Sequence, residues 1–439
     1  MKLHQKLFLL LVFFLPLQLG RHFWPQWSYV MGLKVDYLSP TIYLTDVLVF
    51  LILGIWMLEK SKFQNPKSKI KLKIQNSKFN PPANGQTSKS VFFLAAVFVF
   101  LLANCFFAQN QGAAIYKLVK IIEFSLLGLY IAKNNYELRI TNYGLFWTVI
   151  YSSLLAMAQF TKQSSLGGIF WWLGERTFNL ATPGIAKGDF FGRLFLRPYA
   201  TFPHPNVLAG FILVAFILSS PLIYQKNKVL FIFYFLFSTF TILISLSQAV
   251  WLVGLLLGLG ALKNFKITKW LKGLIYGGAI SLLIFFLIKA PIFSEESFFQ
   301  RLELTKNAFQ LIKQSPFLGV GLNNFIVYLP RFQQGQTLWL QPVHNIYLLV
   351  AAETGVVGLL IFFWFLFLTL KKLLYSYNPI FLYVYISILL LGFFDHYWLT
   401  LQQTQLLVTI ALGLIWSGKE KLAAKIGNKG KNQRKNKAY

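Results

Sequence analysis

Apolar runs of about 17–25 residues recur along the chain, and this is the length that an α-helix needs to cross about 30 Å of hydrocarbon. Hydrophobic residues make up 56% of the 439 residues and charged residues only 13%. A soluble protein with so few charged side chains could not cover its surface with polar groups. The fold class that the sequence predicts is therefore all-α, a polytopic integral membrane protein.

Twelve transmembrane helices are predicted, within one membrane domain that extends over residues 1–417. Their expected ranges are 7–20, 41–58, 91–109, 114–132, 143–160, 206–224, 229–246, 248–262, 273–290, 345–370, 379–395 and 398–416. Almost no chain separates the seventh range from the eighth, so these two helices are expected to form a tight hairpin or a broken pair.

The distribution of Lys and Arg predicts how these helices are oriented. Of the 42 basic residues, sixteen lie in a loop at about 59–90 and a tail at 418–439. Cytoplasmic segments carry an excess of Lys and Arg, so both segments are placed inside, with both termini cytoplasmic and the chain in the inner membrane. Both segments are rich in Asn and Lys and are expected to be disordered.

The net charge of +29 raises the question of an acidic partner. Basic tails can bind nucleic acid, but these two segments lack interleaved aromatic residues and any recognition module. Anionic lipid of the bilayer is therefore their expected partner, and no nucleic-acid partner is expected.

Two long loops, at about 161–205 and 291–343, are predicted on the outer side, and long loops of compact proteins usually carry function. The first contains Arg193 and Arg197, followed by three prolines that end at Pro205. The prolines exclude a regular helix and hold an extended backbone. The two arginines either reach lipid headgroups or form an anion site, since a guanidinium binds phosphate oxygens through two parallel hydrogen bonds.

The second long loop predicts an amphipathic helix from Phe298 to Lys313, because apolar residues recur there at helical spacing. The apolar stripe includes Phe298, Leu302 and Phe309, and the helix is expected to lie against the outer leaflet. Arg301 lies near this stripe. An anion or another helix is left open as its partner.

The start of the tenth predicted span combines His344 and Asn345 with Glu353, which lies roughly 13 Å deeper at 1.5 Å per residue. A carboxylate at that depth is costly and by default marks a functional group or a structural polar partner. The alternatives are an interface imidazole for His344 and a buried ion pair for Glu353.

Two further polar pairs are interpreted as structural. Lys120 and Glu123 have the helical spacing of an ion pair. Asp395 and His396, at the outer end of a span, could be catalytic, but a helix-terminal pair at the level of the lipid headgroups is favoured.

Several kinds of chemistry are excluded by missing motifs. The single cysteine, Cys105, excludes a disulfide framework and a cysteine-based zinc site. The chain has no P-loop, no Asp-x-Asp pair for a metal-bound diphosphate and no nucleophile elbow, so we expect no cofactor and no metal. Arginines with one histidine suit a metal-free displacement, in which arginine neutralises a departing pyrophosphate and histidine takes the proton from a hydroxyl.

Three segments resemble, in order, the O-antigen ligase / polysaccharide polymerase superfamily. Residues 197–210 (RPYATFPHPNVLAG) are similar to its Arg…Thr-Phe-x-x-Pro-Asn-x-Leu-Ala segment. Residues 316–325 (PFLGVGLNNF), preceded by Arg301, are similar to its Pro-hydrophobic-Leu-Gly-x-Gly segment. Residues 344–358 (HNIYLLVAAETGVVG) are similar to its His-Asn…Glu-x-Gly-x-x-Gly segment.

The resemblance implies a glycosyltransferase that moves a glycan from a polyprenyl-pyrophosphate carrier to an acceptor hydroxyl at the outer face of the membrane. It implies an inverting, metal-independent reaction, with His344 as the base or its positioning group and Arg301 binding pyrophosphate. The same cleft is expected to include Arg193, Arg197, His204, Asn206, Gln248, Asn345 and Glu353. The donor sugar stays open, as does the acceptor, which is a glycan, a lipid or a protein.

One position departs from the family pattern. The hairpin of the seventh and eighth spans usually carries Ser-Arg in this family, whereas here Ser247 is followed by Gln248. Either Arg193 or another basic group supplies the charge, or the donor is held differently, or activity is lost. A transporter or lipid-linked oligosaccharide flippase, and a non-catalytic scaffold, are kept as alternatives.

Overall fold

The computed structural model of the protein describes ten stretches of the chain: residues 1–63, 84–134, 138–190, 192–262, 270, 273, 277, 295–333, 338–376 and 378–417. Apart from the isolated helical residues 273 and 277, the ninth predicted span at 273–290 lies outside the described residues. The tail at 418–439 and most of the basic loop at 59–90 lie outside them too.

Helices dominate the described residues. In chain order they are α1 (Leu3–Phe13), α2 (Leu44–Phe63), α3 (Asn84–Phe107), α4 (Gln111–Asn134), α5 (Leu138–Lys162), α6 (Ile169–Trp172), α7 (Pro205–Lys226), α8 (Lys228–Ile244), α9 (Gln248–Leu262), α10 (Glu295–Gln314), α11 (Phe325–Tyr328), α12 (Ile346–Ser376), α13 (Pro379–Gly392), α14 (Tyr397–Thr400) and α15 (Gln402–Trp416). Eleven of them lie at the positions of predicted spans, although several extend beyond the predicted ends. Helices α8 and α9 are joined by only three residues, as expected for a tight hairpin.

Three of the described helices are long and apolar enough to cross a membrane, by length and composition: residues Thr141–Lys162 of α5, and the helices α7 and α12. Several other apolar helices are shorter. That all twelve predicted spans cross the bilayer stays a prediction.

The first predicted span, 7–20, is wrong in its bounds, because α1 ends at Phe13. Pro16 follows in a turn, and a proline has no N–H with which to continue a helix. Its carbonyl oxygen accepts hydrogen bonds from Oγ1 of Thr201 and, at 2.8 Å, from Nε2 of Gln403. These two partners are distant in the chain, so hydropathy alone does not reveal where the helix ends.

Small two-stranded antiparallel sheets lie in two of the loops. β1 (Gly20–His22) pairs with β4 (Thr41–Tyr43), β2 (Tyr29–Val30) with β3 (Leu33–Lys34), and β5 (Lys187–Phe190) with β6 (Arg193–Leu196). Pairing of the strands provides partners for backbone groups that have none within a helix. The fold is therefore mostly helical, in agreement with the predicted helical class, with short antiparallel strand pairs in its loops.

Helix α7 is largely buried in the central packing, where it contacts α5, α8 and α13. Gly210 in α7 cannot carry a side chain without movement, since a Cβ atom there would lie 2.2 Å from the hydroxyl oxygen of Tyr397. The tight packing holds α7 in one position. It thereby holds the residues at its start, His204 and Asn206.

The helix ends that the predicted topology places on the outer side meet one another. The loop before α7 contacts the turn between α8 and α9, through a hydrogen bond of 2.7 Å from Arg197 to Ser245. Helix α10 contacts the turn between α13 and α14, through a hydrogen bond of 2.8 Å from Arg301 to Phe394. These connections gather the predicted site residues at one end of the helices.

Helix α10 lies at the position of the predicted amphipathic helix. It buries Leu304, Ala308 and Leu311, and it packs against α12. Phe298 and Phe309 of the predicted apolar stripe are 53% and 58% exposed. The helix therefore has two apolar sides, and Arg301 lies one turn before Leu304 on the side that packs against the protein.

Candidate active site

His344 lies beside Asp395, a residue 51 positions later in the chain. Nδ1 of His344 is 3.3 Å from Oδ1 of Asp395. His344 stands just before α12 and Asp395 stands in the turn between α13 and α14, so helix packing brings them together. The two side chains are 18% and 12% exposed. A carboxylate in this position can orient an imidazole and stabilise its protonated form.

Asp395 is held in its charged form. Burial by itself would raise the pKa of the carboxyl group, but His344, together with His396 and Arg301, holds that pKa well below its usual range. Oδ1 of Asp395 also accepts a hydrogen bond of 2.8 Å from the backbone N–H of His396. The carboxylate is therefore available to His344 at neutral pH.

A second imidazole completes what we call the His–Asp–His cluster, formed by His344, Asp395 and His396. The ring centroids of the two histidines are 5.2 Å apart. Burial lowers the pKa of His396 to about 3, so its ring is neutral. Its Nδ1 lies 2.7 Å from Oγ1 of Thr400. Tyr37, from the loop after α1, covers it with an edge-on ring contact of 5.5 Å.

Arg301 approaches the cluster from α10. Its Nη1 donates a hydrogen bond of 2.8 Å to the carbonyl oxygen of Phe394, the residue before Asp395. Its charge acts on both Asp395 and His396. A fixed guanidinium beside a candidate base suits a reaction in which negative charge develops on a phosphate leaving group.

Arg197 connects two loops on the same side of the molecule. Its Nε donates to the carbonyl oxygen of Ser245 at 2.7 Å, and its Nη2 donates to Oδ1 of Asn206 at 2.6 Å. Burial lowers the pKa of Arg197 to about 10, Tyr199 opposes this shift and Arg301 adds to it. Arg197 therefore stays positively charged at neutral pH, and Asn206 orients it.

His204 caps α7. Its Nδ1 accepts a hydrogen bond of 3.1 Å from the backbone N–H of Asn206. Burial, followed by the charge of Arg197, lowers the pKa of His204 to about 3. The ring is thus neutral, and any contact with a substrate would use its other nitrogen, Nε2.

The sequence segment that contains the proposed base also matches a known family. Residues 233–363 match the family model described as O-Antigen ligase. The resemblance to the O-antigen ligase superfamily is confirmed. The match covers less than a third of the chain, and it supports a membrane glycosyltransferase of the ligase or polymerase type at the level of the family. No curated protein matches the chain.

The O-antigen ligase segment contains only part of the site. It includes the predicted residues Gln248, Arg301, His344, Asn345 and Glu353. Residues outside it that contribute to the same end of the molecule are Arg197, His204, Asn206, Asp395 and His396. Tertiary packing therefore completes the site from both sides of the segment.

Asn345, a predicted substrate contact within the O-antigen ligase segment, caps α12. Its Oδ1 accepts hydrogen bonds from the backbone N–H groups of Tyr347 at 2.9 Å and Leu348 at 3.0 Å. Its Nδ2 donates to the carbonyl oxygen of Phe393 at 3.3 Å. These bonds place Asn345 in the support of His344, and a role in binding substrate stays a prediction.

The two glycine-rich motifs of the O-antigen ligase segment bind each other. The loop after α10 lies against a kink in α12, where Gly355 has a φ of +64°. The N–H groups of Val320 and Gly321 each donate at 2.9 Å, to the carbonyl oxygens of Ala352 and Glu353 respectively. We call this contact the glycine interlock. It positions α12, and with it His344.

Glu353 belongs to the glycine interlock. It is 8% exposed, and its Oε1 lies 3.4 Å from the backbone nitrogen of Phe325, at the start of α11. Its carbonyl oxygen also accepts a hydrogen bond of 3.0 Å from Asn104. Within the described structure its carboxylate thus supports a loop, and the charge of Lys117 acts on it. A role of Glu353 in binding substrate stays a prediction.

Among the described residues, Arg193 and Gln248 form no hydrogen bond or ion pair with the His–Asp–His cluster, and their roles stay predictions. Arg193 is exposed at the start of β6, four extended residues from Arg197, which corresponds to roughly 13 Å. Gln248 is half-buried at the first position of α9. The guanidinium of Arg197 contacts the turn that precedes Gln248.

Asp395 and His396, beside His344, and Tyr37, beside His396, are residues of the site that the sequence alone did not select. A usable signal existed for two of them, because a carboxylate and an imidazole stand at an outer span end on the same predicted face as His344. Tyr37 carried no such signal.

The Lys120–Glu123 pair is confirmed at 3.2 Å, and Lys120 also lies 2.5 Å from Asp46.

Proposed function

We propose that the protein is a membrane glycosyltransferase that moves a glycan from a polyprenyl-pyrophosphate carrier to an acceptor hydroxyl at the outer face of the inner membrane. The observation that carries the proposal is the 3.3 Å contact between His344 and Asp395, beside Arg301. A candidate base, the residue that orients it and a fixed cation thus lie close together. His344 and Arg301 belong to the segment that matches the O-antigen ligase family model.

The proposed reaction begins at His344. Asp395 accepts the hydrogen of Nδ1, so Nε2 is left with a lone pair and takes the proton from the acceptor hydroxyl. The acceptor oxygen then forms a bond to the anomeric carbon of the donor glycan. The bond from that carbon to the pyrophosphate oxygen breaks, and the lipid pyrophosphate leaves with the electron pair. Attack opposite the leaving group inverts the anomeric configuration, and no step requires a metal.

Two arginines neutralise the leaving pyrophosphate in this proposal. Arg301 acts near the cluster, and Arg197 acts at the α8–α9 turn, where it supplies the charge that Gln248 lacks. Arg193, His204, Gln248, Asn345 and Glu353 shape or support the cleft. The acceptor class, whether glycan, lipid or protein, is left open.

Removal of the base and of the cation tests the proposal. His344→Ala and Arg301→Ala are expected to abolish glycan transfer in proteoliposomes that contain a lipid-linked donor and an acceptor. His22→Ala, in strand β1, and Lys306→Ala, on the exposed side of α10, are the matched controls and should keep transfer. Full transfer by both His344→Ala and Arg301→Ala in folded protein would refute it.

A transporter or flippase is the second candidate, and one observation favours it. Asp46, Lys120 and Glu123 form a buried charged triad between α2 and α4, with Lys120 at 2.5 Å from Asp46. Ionisable groups inside a membrane often mark ion or substrate pathways. Movement of lipid-linked glycan or of protons across vesicles, lost in Lys120→Met but kept in His344→Ala, would support this candidate.

A further inference from the structure

The His–Asp–His cluster has the spacing of a metal site. One ligand atom from each of its three residues lies within 4.8 Å of the other two. The distances from Oδ1 of Asp395 are 3.3 Å to Nδ1 of His344 and 3.9 Å to Nε2 of His396. Ligand atoms at 2.0–2.1 Å from a tetrahedral zinc ion lie about 3.3 Å apart. Small side-chain rotations would therefore bring all three atoms onto one ion.

Thr400 contacts the ring nitrogen of His396 that faces away from Asp395. Oγ1 of Thr400 lies 2.7 Å from Nδ1 of His396 and 3.2 Å from its carbonyl oxygen. When the hydroxyl donates its only hydrogen to that carbonyl oxygen, it accepts from Nδ1, and Nε2 then has a lone pair 3.9 Å from the Asp395 carboxylate. Two electron-rich atoms this close favour a positive ion between them, and a hydrogen bond from the other ring nitrogen is typical of metal-binding histidines.

We propose that the His–Asp–His cluster binds one divalent transition-metal ion of the zinc type, and that this ion inhibits glycan transfer. Two imidazoles and a carboxylate are ligands that suit zinc. The binding stands by itself, whereas the inhibition rests on the proposed function. A metal on Nδ1 of His344 forces the proton of the neutral ring onto Nε2, so His344 can no longer accept a proton from the acceptor.

Arg301 opposes the binding of this ion. Its guanidinium donates to the carbonyl oxygen of Phe394, next to Asp395, and adds a positive charge beside the site. Removal of that charge should strengthen zinc binding, while removal of a ligand should weaken it. These opposite effects distinguish a site at the cluster from zinc that binds elsewhere on the surface.

Zinc binding is measured on the full chain, purified in detergent without a histidine tag, by competition with a fluorescent zinc chelator. The unaltered protein is expected to bind one Zn²⁺, and His396→Ala to bind it at least about tenfold more weakly. Arg301→Gln should bind it several-fold more tightly, and the control His22→Ala should match the unaltered protein. Absence of binding, or equal binding by His396→Ala and the unaltered protein, would overturn the site.

Folding and inhibition are examined separately. His396→Gln is a second variant if His396→Ala fails to fold, as judged by exposure of the buried thiol of Cys105. In the transfer assay, Zn²⁺ should inhibit the unaltered protein and a chelator should restore it. Zinc binding without inhibition would overturn the inhibitory role. Absence of transfer even without zinc would count against the proposed function and leave the binding result intact.

Discussion

Nδ1 of His344 lies 3.3 Å from Oδ1 of Asp395, 51 positions later in the chain, and all of α12 and α13 lies between the two residues. The pair makes His344 a candidate base whose orientation is set by a second residue. Asp395 lies outside the O-antigen ligase segment at 233–363, so the family match alone does not identify it. The pair and the contacts around it can each be tested by substitution.

Replacement of Asp395 by Asn should reduce the turnover number for glycan transfer by about 100-fold or more. The amide is nearly isosteric but has no charge to stabilise a protonated His344, and its N–H₂ group can impose the wrong tautomer. The rate is measured with a lipid-linked donor in proteoliposomes. Asp36→Asn, an exposed Asp on the same side, is the control. A rate within twofold of the unaltered protein would exclude Asp395 as the orienting residue.

Arg197→Ala should raise the KM for the lipid-linked donor, because the α8–α9 turn then loses its guanidinium. Gln248→Arg restores a guanidinium from the other side of that turn. The double variant Arg197→Ala with Gln248→Arg should therefore recover part of the loss, which initial rates at varied donor concentration would reveal. If Gln248→Arg activates an otherwise inactive protein that keeps Arg197, the scaffold alternative is correct instead.

The glycine interlock should not tolerate side chains. Gly319 has a φ of +69°, and a Cβ atom there would lie 2.4 Å from the backbone carbon of Glu353. Gly319→Ala should destabilise the protein by at least about 2 kcal/mol, from the backbone conformation and the overlap together. The single thiol of Cys105 is 3% exposed and its neighbour Asn104 hydrogen-bonds to Glu353, so its reaction rate with a thiol dye during heating reports local opening.

Gly258→Ala is the matched control for the interlock. Gly258 lies inside α9, and a Cβ atom added there would meet no neighbouring atom within 4 Å, so alanine should fit. Alanine favours a helix over glycine by up to about 1 kcal/mol. Equal melting temperatures for Gly319→Ala and Gly258→Ala would contradict the interlock.

Low pH should reduce the stability of the folded protein through His204, the residue that caps α7. Burial lowers the pKa of His204 to about 3 in the folded protein, against 6.5 for the ordinary side chain. Between these values the unfolded chain binds a proton that the folded protein does not, so stability falls as the pH is lowered from about 6.5 towards 3. The effect of this residue is absent above that window. Melting temperatures of the detergent-solubilised protein across this range measure it.

His204→Asn tests the origin of that dependence. Asparagine also accepts a hydrogen bond at the start of a helix but does not titrate. The variant should retain its stability near pH 7 and show a shallower decline below about pH 6.5. An identical pH profile for the variant would show that other groups cause the decline.

The positions of the long helices follow from the sequence alone. Helix α7 begins at Pro205 and α9 at Gln248, each within one residue of its predicted start, because hydropathy along the chain is a local property. His344 and Arg301 can also be selected as candidate site residues from the sequence alone. Where a helix end depends on a distant partner, as at Pro16 with Gln403, the local pattern fails.

The tertiary structure decided which side chains work together. The sequence places Asp395 at a helix end, and packing of α13 against α12 brings it to His344. It suggests a substrate contact for Glu353, which stays a prediction, and only the fold shows that this residue also supports the loop after α10. The sequence does not show which residue supplies the positive charge that Gln248 lacks, and the fold brings Arg197 to the turn between α8 and α9. The sequence predicts which segments enter the membrane because burial of apolar surface is nearly additive along the chain, whereas hydrogen bonds across a site depend on distances that only packing sets.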